Sequence, residues 1–90
     1  MHPSESKVNQ ALEACRPLLT EEEYRELFDY NGRHNEWGLA IETLADFLGE
    51  KEARLTFEQL ALIEAAFAAM HLAPAHRIEY LRGLMKPRSP

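Results

Sequence analysis

The chain has 90 residues, 46% of them hydrophobic and 28% charged, with 15 acidic against 10 basic groups and a net charge of −5. That is enough for one modest core and one functional surface, too little for a catalytic domain with accessory parts, and too often interrupted by charge for a membrane span of roughly 18 apolar residues. The charge is also unevenly placed, with −8 on residues 1–70 and +3 on residues 71–90, and an acidic body argues against nucleic-acid binding, which needs basic groups to release counterions.

Every periodic stretch is helical, and none shows the two-residue alternation of a strand. The expected fold is therefore all-α: a single domain over residues 1–90, folded as a compact bundle of four to five short helices, with residues 1–5 and 87–90 frayed. The opening MHPSESKVNQ has no basic start followed by an apolar stretch and a small-residue cleavage site, so a cytoplasmic location is expected.

A first helix is expected from Ser6 to Arg16, with Val8, Ala11, Leu12 and Cys15 as its apolar side and Pro17 as its stop. Cys15 has no second cysteine to pair with, and its helical phase makes it a buried free thiol. A second helix begins at Thr20, where Glu23 completes a capping box, and turns Tyr24, Leu27 and Phe28 inward. Asn31 and Gly32 supply a left-handed stop, and Asn35 caps the next helix after a short turn, so helices two and three form a hairpin.

That third helix, Asn35 to Glu52, carries the main functional signal. At roughly 100° per residue, Trp37, Ala40, Ile41, Leu44, Phe47 and Leu48 share one sector. Glu42, Asp46 and Glu50 form a column opposite, with Leu39 on the same side. Acids at that spacing cost about 0.2–0.5 kcal/mol per pair, and Asp46, Glu50 and Glu52 crowd the end where the helix dipole favours cations. Local stability does not explain them, whereas Glu21 to Glu23 in a first turn are what the dipole favours. Gly49 decides whether Glu50 completes the column or follows an early helix end.

Thr56 and Gln59 make a second capping box, opening a fourth helix with Leu60, Ile63, Phe67 and Met70 as its inward seam. Its alanines make it the expected central helix. Pro74 starts a fifth helix with Ile78, Leu81, Leu84 and Met85 inward, and Pro87 ends it.

No constellation of residues makes a persuasive catalytic or cofactor site. His71 and His76 are five apart with Pro74 between them, which is not the same-face spacing of a helical zinc pair, and His34 falls in a turn. The four glycines are scattered and make no phosphate loop, and carboxylates on an exposed line lack the apolar pocket that tunes one into an acid. No enzyme activity, metal or cofactor is expected.

The turn Asn31 to His34, then Asn35, Glu36, Trp37, Gly38, Leu39 and Ala40, then Glu42, Leu44, Asp46, Leu48 and Glu50, carry a likeness to a known family. Leu55, Thr56, Phe57, Ile63 and Met70 to Leu72 extend it. Over Thr20 to Leu72 the chain resembles the MafI family of immunity proteins, small helical antidotes to secreted polymorphic or contact-dependent bacterial toxins. The resemblance implies a protein without catalysis of its own that binds its cognate toxin in the cytoplasm of the producing cell and blocks it.

The expected toxin-binding residues are Glu42, Asp46 and Glu50, with Glu36, Leu39 and Glu52 beside them, facing a basic toxin surface such as a nuclease cleft. The alternative is a helical adaptor or homodimerising regulator seating a partner helix on Leu39, Leu62 and Tyr80. A weaker third reading, nucleic-acid regulation through Arg77, Arg82, Lys86 and Arg88, competes with a solvated face whose cations suit a helix C-terminus.

Overall fold

In a computed structural model, which describes residues 2–71 and 75–85, the chain folds into five α-helices, with no strand among the described residues. Helix α1 (Pro3–Cys15) starts ahead of the expected Ser6, so residues 3–5 are helical where fraying was expected. His2 is extended at the N-cap, its Nδ1 accepts the Ser4 N–H at 3.0 Å, and its ring stacks on Trp37 with centroids 4.2 Å apart. Pro3 at the first helical position sacrifices no N–H that the helix uses. Pro17 stops the helix as expected, within a short 3₁₀ turn over Arg16–Leu18.

The capping box of α2 (Glu21–Phe28) is formed: Thr20 Oγ1 accepts the Glu23 N–H at 3.1 Å, and Glu23 Oε1 accepts the Thr20 N–H at 2.9 Å. Leu27 is buried and the Tyr24 hydroxyl donates to Glu13 of α1 at 2.6 Å, but Phe28, expected inward, is 48% exposed. The inward line of this segment runs through Leu27 and Asn31, four apart and both buried, which leaves Phe28 about 100° around the helix.

The expected stop at Asn31–Gly32 is not made there. The chain widens into one π turn over Asp29–Arg33, closed by the His34 N–H on Asp29 O at 3.1 Å, and no glycine has positive φ. The widening turns Asn31 inward, where its Nδ2 donates to Glu5 O of α1 at 3.3 Å. The left-handed residue is Asn35, with φ of 52°, and the Glu36 N–H closes back on Tyr30 O at 2.8 Å. Asn35 therefore ends the preceding turn rather than capping α3, and Glu36 holds the cap position without a side-chain bond.

Helix α3 (Trp37–Glu50) is shorter than the expected Asn35–Glu52 at both ends, and Gly49 lies inside it. It ends in a Schellman closure: the Ala53 N–H bonds Leu48 O at 2.9 Å, the Glu52 N–H bonds Gly49 O at 3.1 Å, and Glu52 is left-handed with φ of 52°. Helix α4 (Phe57–Ala69) opens with the expected Thr56–Gln59 box, and Gln59 Nε2 also donates to Ala14 O of α1 at 2.9 Å. Helix α5 (Ala75–Leu84) buries Ile78 and Leu81, with Leu84 and Met85 packed against the core. Pro74 and Pro87, its expected bounds, lie outside the described residues, as do residues 87–90.

One core unites the helices, drawing Val8, Leu12 and Cys15 from α1, Ile41, Leu44 and Leu48 from α3, Ile63 and Phe67 from α4, and Leu81 from α5. The alanine-rich α4 lies chiefly on α1, whereas α3 packs against α1, α2, α4 and α5, so α3 takes the central place expected of α4. Burying a Leu or Ile stabilises by about 1.5–3 kcal/mol, so the buried Ile41, Leu44 and Leu48 outweigh the about 0.2–0.5 kcal/mol per pair that the acids on the other side cost.

Candidate functional site: the acidic face of α3

Because core contacts use the opposite side of α3, the column of Glu42, Asp46 and Glu50 faces outward, with roughly 6 Å of helix rise between successive acids. Continuation of the helix through Gly49 puts Glu50 in the last turn, on the column. Leu39 is 45% exposed on the same side. Glu36 is exposed at the N-terminus, where the dipole accommodates an anion. Glu52 departs from the line: it occupies the left-handed position of the terminal turn, beyond the helix.

The column is not the unpartnered row of acids that the sequence implied. Arg77 of α5 reaches across it, with Nε donating to Asp46 Oδ1 at 3.1 Å and Nη1 at 3.4 Å from Glu42 Oε2. Two of the three acids therefore brace α5 against α3. Glu50 has no ion-pair partner among the described residues. Arg82 pairs with Glu64 of α4, so these two arginines of the basic tail hold acids of their own chain, while Lys86 and Arg88 lie outside the described residues.

Beside the column, α3 and α5 border an open groove of about 330 Å³. Ala45 and Gly49 line it from α3 together with Asp46 and Glu50, and His76, Arg77 and Tyr80 line it from α5. Tyr80 is 52% exposed, and a Cβ on Gly49 would stand 3.3 Å from its Cδ2 and Cε2. Sequence reasoning placed Tyr80 in the partner-helix reading and Arg77 in the nucleic-acid reading, and put neither beside the acidic column. Their signal was present, since they are three apart and both flank the buried Ile78–Leu81 stripe, but which helix that flank meets is a tertiary fact.

Other apolar side chains divide differently from expectation. Trp37 is half-buried against the core, and Leu62, expected to be exposed, is partly buried there too. Phe57, at the first position of α4, is 86% exposed. Cys15 is fully buried, and burial pushes its thiol up to about 12. His34, His71 and His76 are exposed, and no group of three or more potential ligands capable of holding a metal occurs among the described residues. No helix among them is long and apolar enough to cross a membrane.

Compared with protein-family models, curated proteins and solved structures, the chain matches none.

Proposed function

We propose that the protein is an immunity protein that binds a basic bacterial toxin domain through the outward face of α3 and blocks it in the cytoplasm, without catalysis of its own. The observation that carries this reading is the exposed column of Glu42, Asp46 and Glu50 on a helix already stabilised by its other side. The MafI-like pattern from Asn31 to Glu50 supports it. Leu39 adds an apolar contact within the charged field, and Arg77 leaves the column with two net negative charges rather than three. Such a field steers a basic partner and raises the association rate, an effect that weakens with salt.

Co-expression with the products of neighbouring reading frames tests the proposal. Survival that depends on this protein supports it, and replacement of Glu42, Asp46 and Glu50 by lysine then restores killing. Killing by every such product regardless of this protein's presence overturns it.

The exposure of Leu39, Phe57 and Tyr80 favours a second reading, a non-enzymatic adaptor or homodimer that seats another helix. Leu62 no longer contributes to that surface, because it packs against the core. Sedimentation equilibrium separates the two readings: a stable dimer that covers the α3 face supports the second.

A further inference from the structure

Gly49 and Tyr80 make a groove out of what would otherwise be a plain contact between helices. The absent side chain at Gly49 admits the edge of the ring, and Tyr80 as a residue stays 52% exposed. Arg77 and Asp46 are paired one turn before these two residues on each helix, so that part of the groove already holds a cation and its anion. Glu50, next to Gly49, has no cation among the described residues.

Resting on the reading of this face as a surface for a basic partner, we propose that the groove seats one arginine side chain of that partner, its guanidinium over the Tyr80 ring and paired with Glu50. Charge complementarity selects a cation, because the rim group without an ion-pair partner among the described residues is the Glu50 carboxylate. The ring selects arginine over lysine: a planar, weakly hydrated guanidinium stacks on an aromatic face and pairs with a carboxylate in the same plane, while an ammonium keeps its water. Arg77 limits the site to one guest, since Glu42 and Asp46 are already engaged.

The test uses the full chain with octa-arginine and octa-lysine as probes, titrated calorimetrically at low salt. Octa-arginine binds the native protein about threefold more tightly than octa-lysine, as expected of one exposed cation–aromatic contact. Tyr80→Phe retains that preference and Tyr80→Leu, which still covers Gly49 with an apolar group, abolishes it. Glu50→Gln weakens both peptides. Nuclear magnetic resonance of the unaltered chain gives a check independent of how the variants fold: the Gly49 amide shifts on adding octa-arginine. A preference for arginine that survives Tyr80→Leu, or a Gly49 amide that stays still while other residues shift, overturns the groove but leaves the acidic face standing. If instead neutralising Glu42, Asp46 and Glu50 together changes neither affinity, the reading of the face itself fails.

Discussion

Arg77 donates through Nε to Asp46 at 3.1 Å while its Nη1 lies 3.4 Å from Glu42, so one guanidinium on α5 spans two carboxylates a helical turn apart on α3. This relationship gives two of the three column acids a structural role that their own helix denies them. The three side chains are 28%, 51% and 38% exposed, for Arg77, Asp46 and Glu42 in turn, and pairs that wet contribute at most about 1 kcal/mol. Arg77→Gln is therefore expected to lower unfolding stability by about 1 kcal/mol or less in urea titrations, with the difference shrinking at high salt. The same change restores the full charge of the column, so association with a basic partner becomes faster and more salt-dependent. A loss several times larger that salt does not alter would contradict the surface character of the bridge.

Glu52 adopts a left-handed backbone, φ of 52°, to close the C-terminus of α3. An L side chain there costs about 1–2 kcal/mol, and part of the gain from glycine is returned through the freer unfolded chain. Glu52→Gly is expected to stabilise by about 0.5–1 kcal/mol, raising the thermal midpoint by several degrees. Glu52→Ala separates backbone from charge: it keeps the strain while removing an anion from the wrong end of the dipole, so its gain should be the smaller.

Local rules located most of the fold. The boxes at Thr20–Glu23 and Thr56–Gln59 and the stripe from Val8 to Cys15 involve residues within a turn or two of one another, and these features stand as expected. The exits did not follow the glycines. Positive φ falls at Asn35, Glu52 and His71, because packing determines where each helix must turn away, whereas Gly32 lies in a π turn set by Asn31 reaching α1. The acidic column was legible from periodicity alone, but its partner Arg77 lies 31 residues from Asp46, and only the docking of α5 brings them together.

Lys51 connects the end of α3 to the start of α2, its Nζ donating to Leu18 O at 2.9 Å and to the Glu23 carboxylate. The hydrogen bond from Lys51 is the largest cause holding the Glu23 carboxyl below its ordinary 4.5, and the Thr20 N–H assists. A carboxyl depressed in the folded state adds stability that is complete above its unfolded value and disappears as pH falls through the folded one. Urea midpoints followed from neutral to acid pH should therefore show Glu23→Gln less stable than the native chain at neutral pH. The gap should close below 4.5. Lys51→Met should flatten the same acid limb, and a gap that widens with acid would have the wrong sign for this pair.

Cys15 sits fully buried in the core, where α1 meets α4, and burial raises its thiol to about 12. Only the thiolate reacts with alkylating or disulfide reagents, so native protein at neutral pH should be modified solely through molecules that have opened. Because α1 rests chiefly on α4, is tied to α3 through the His2–Trp37 stack and is bonded to α2 through the Tyr24 hydroxyl on Glu13, releasing Cys15 requires undoing contacts with three helices. The labelling rate relative to the urea-unfolded chain should then give an opening free energy equal to that of global unfolding. Cys15→Ala should be tolerated better than Cys15→Ser, because a hydroxyl at this site loses its water without a partner, at a cost of about 1–3 kcal/mol. Rapid labelling without urea would mean that α1 detaches on its own, and the core would then be α3, α4 and α5 with α1 as a loosely held cover.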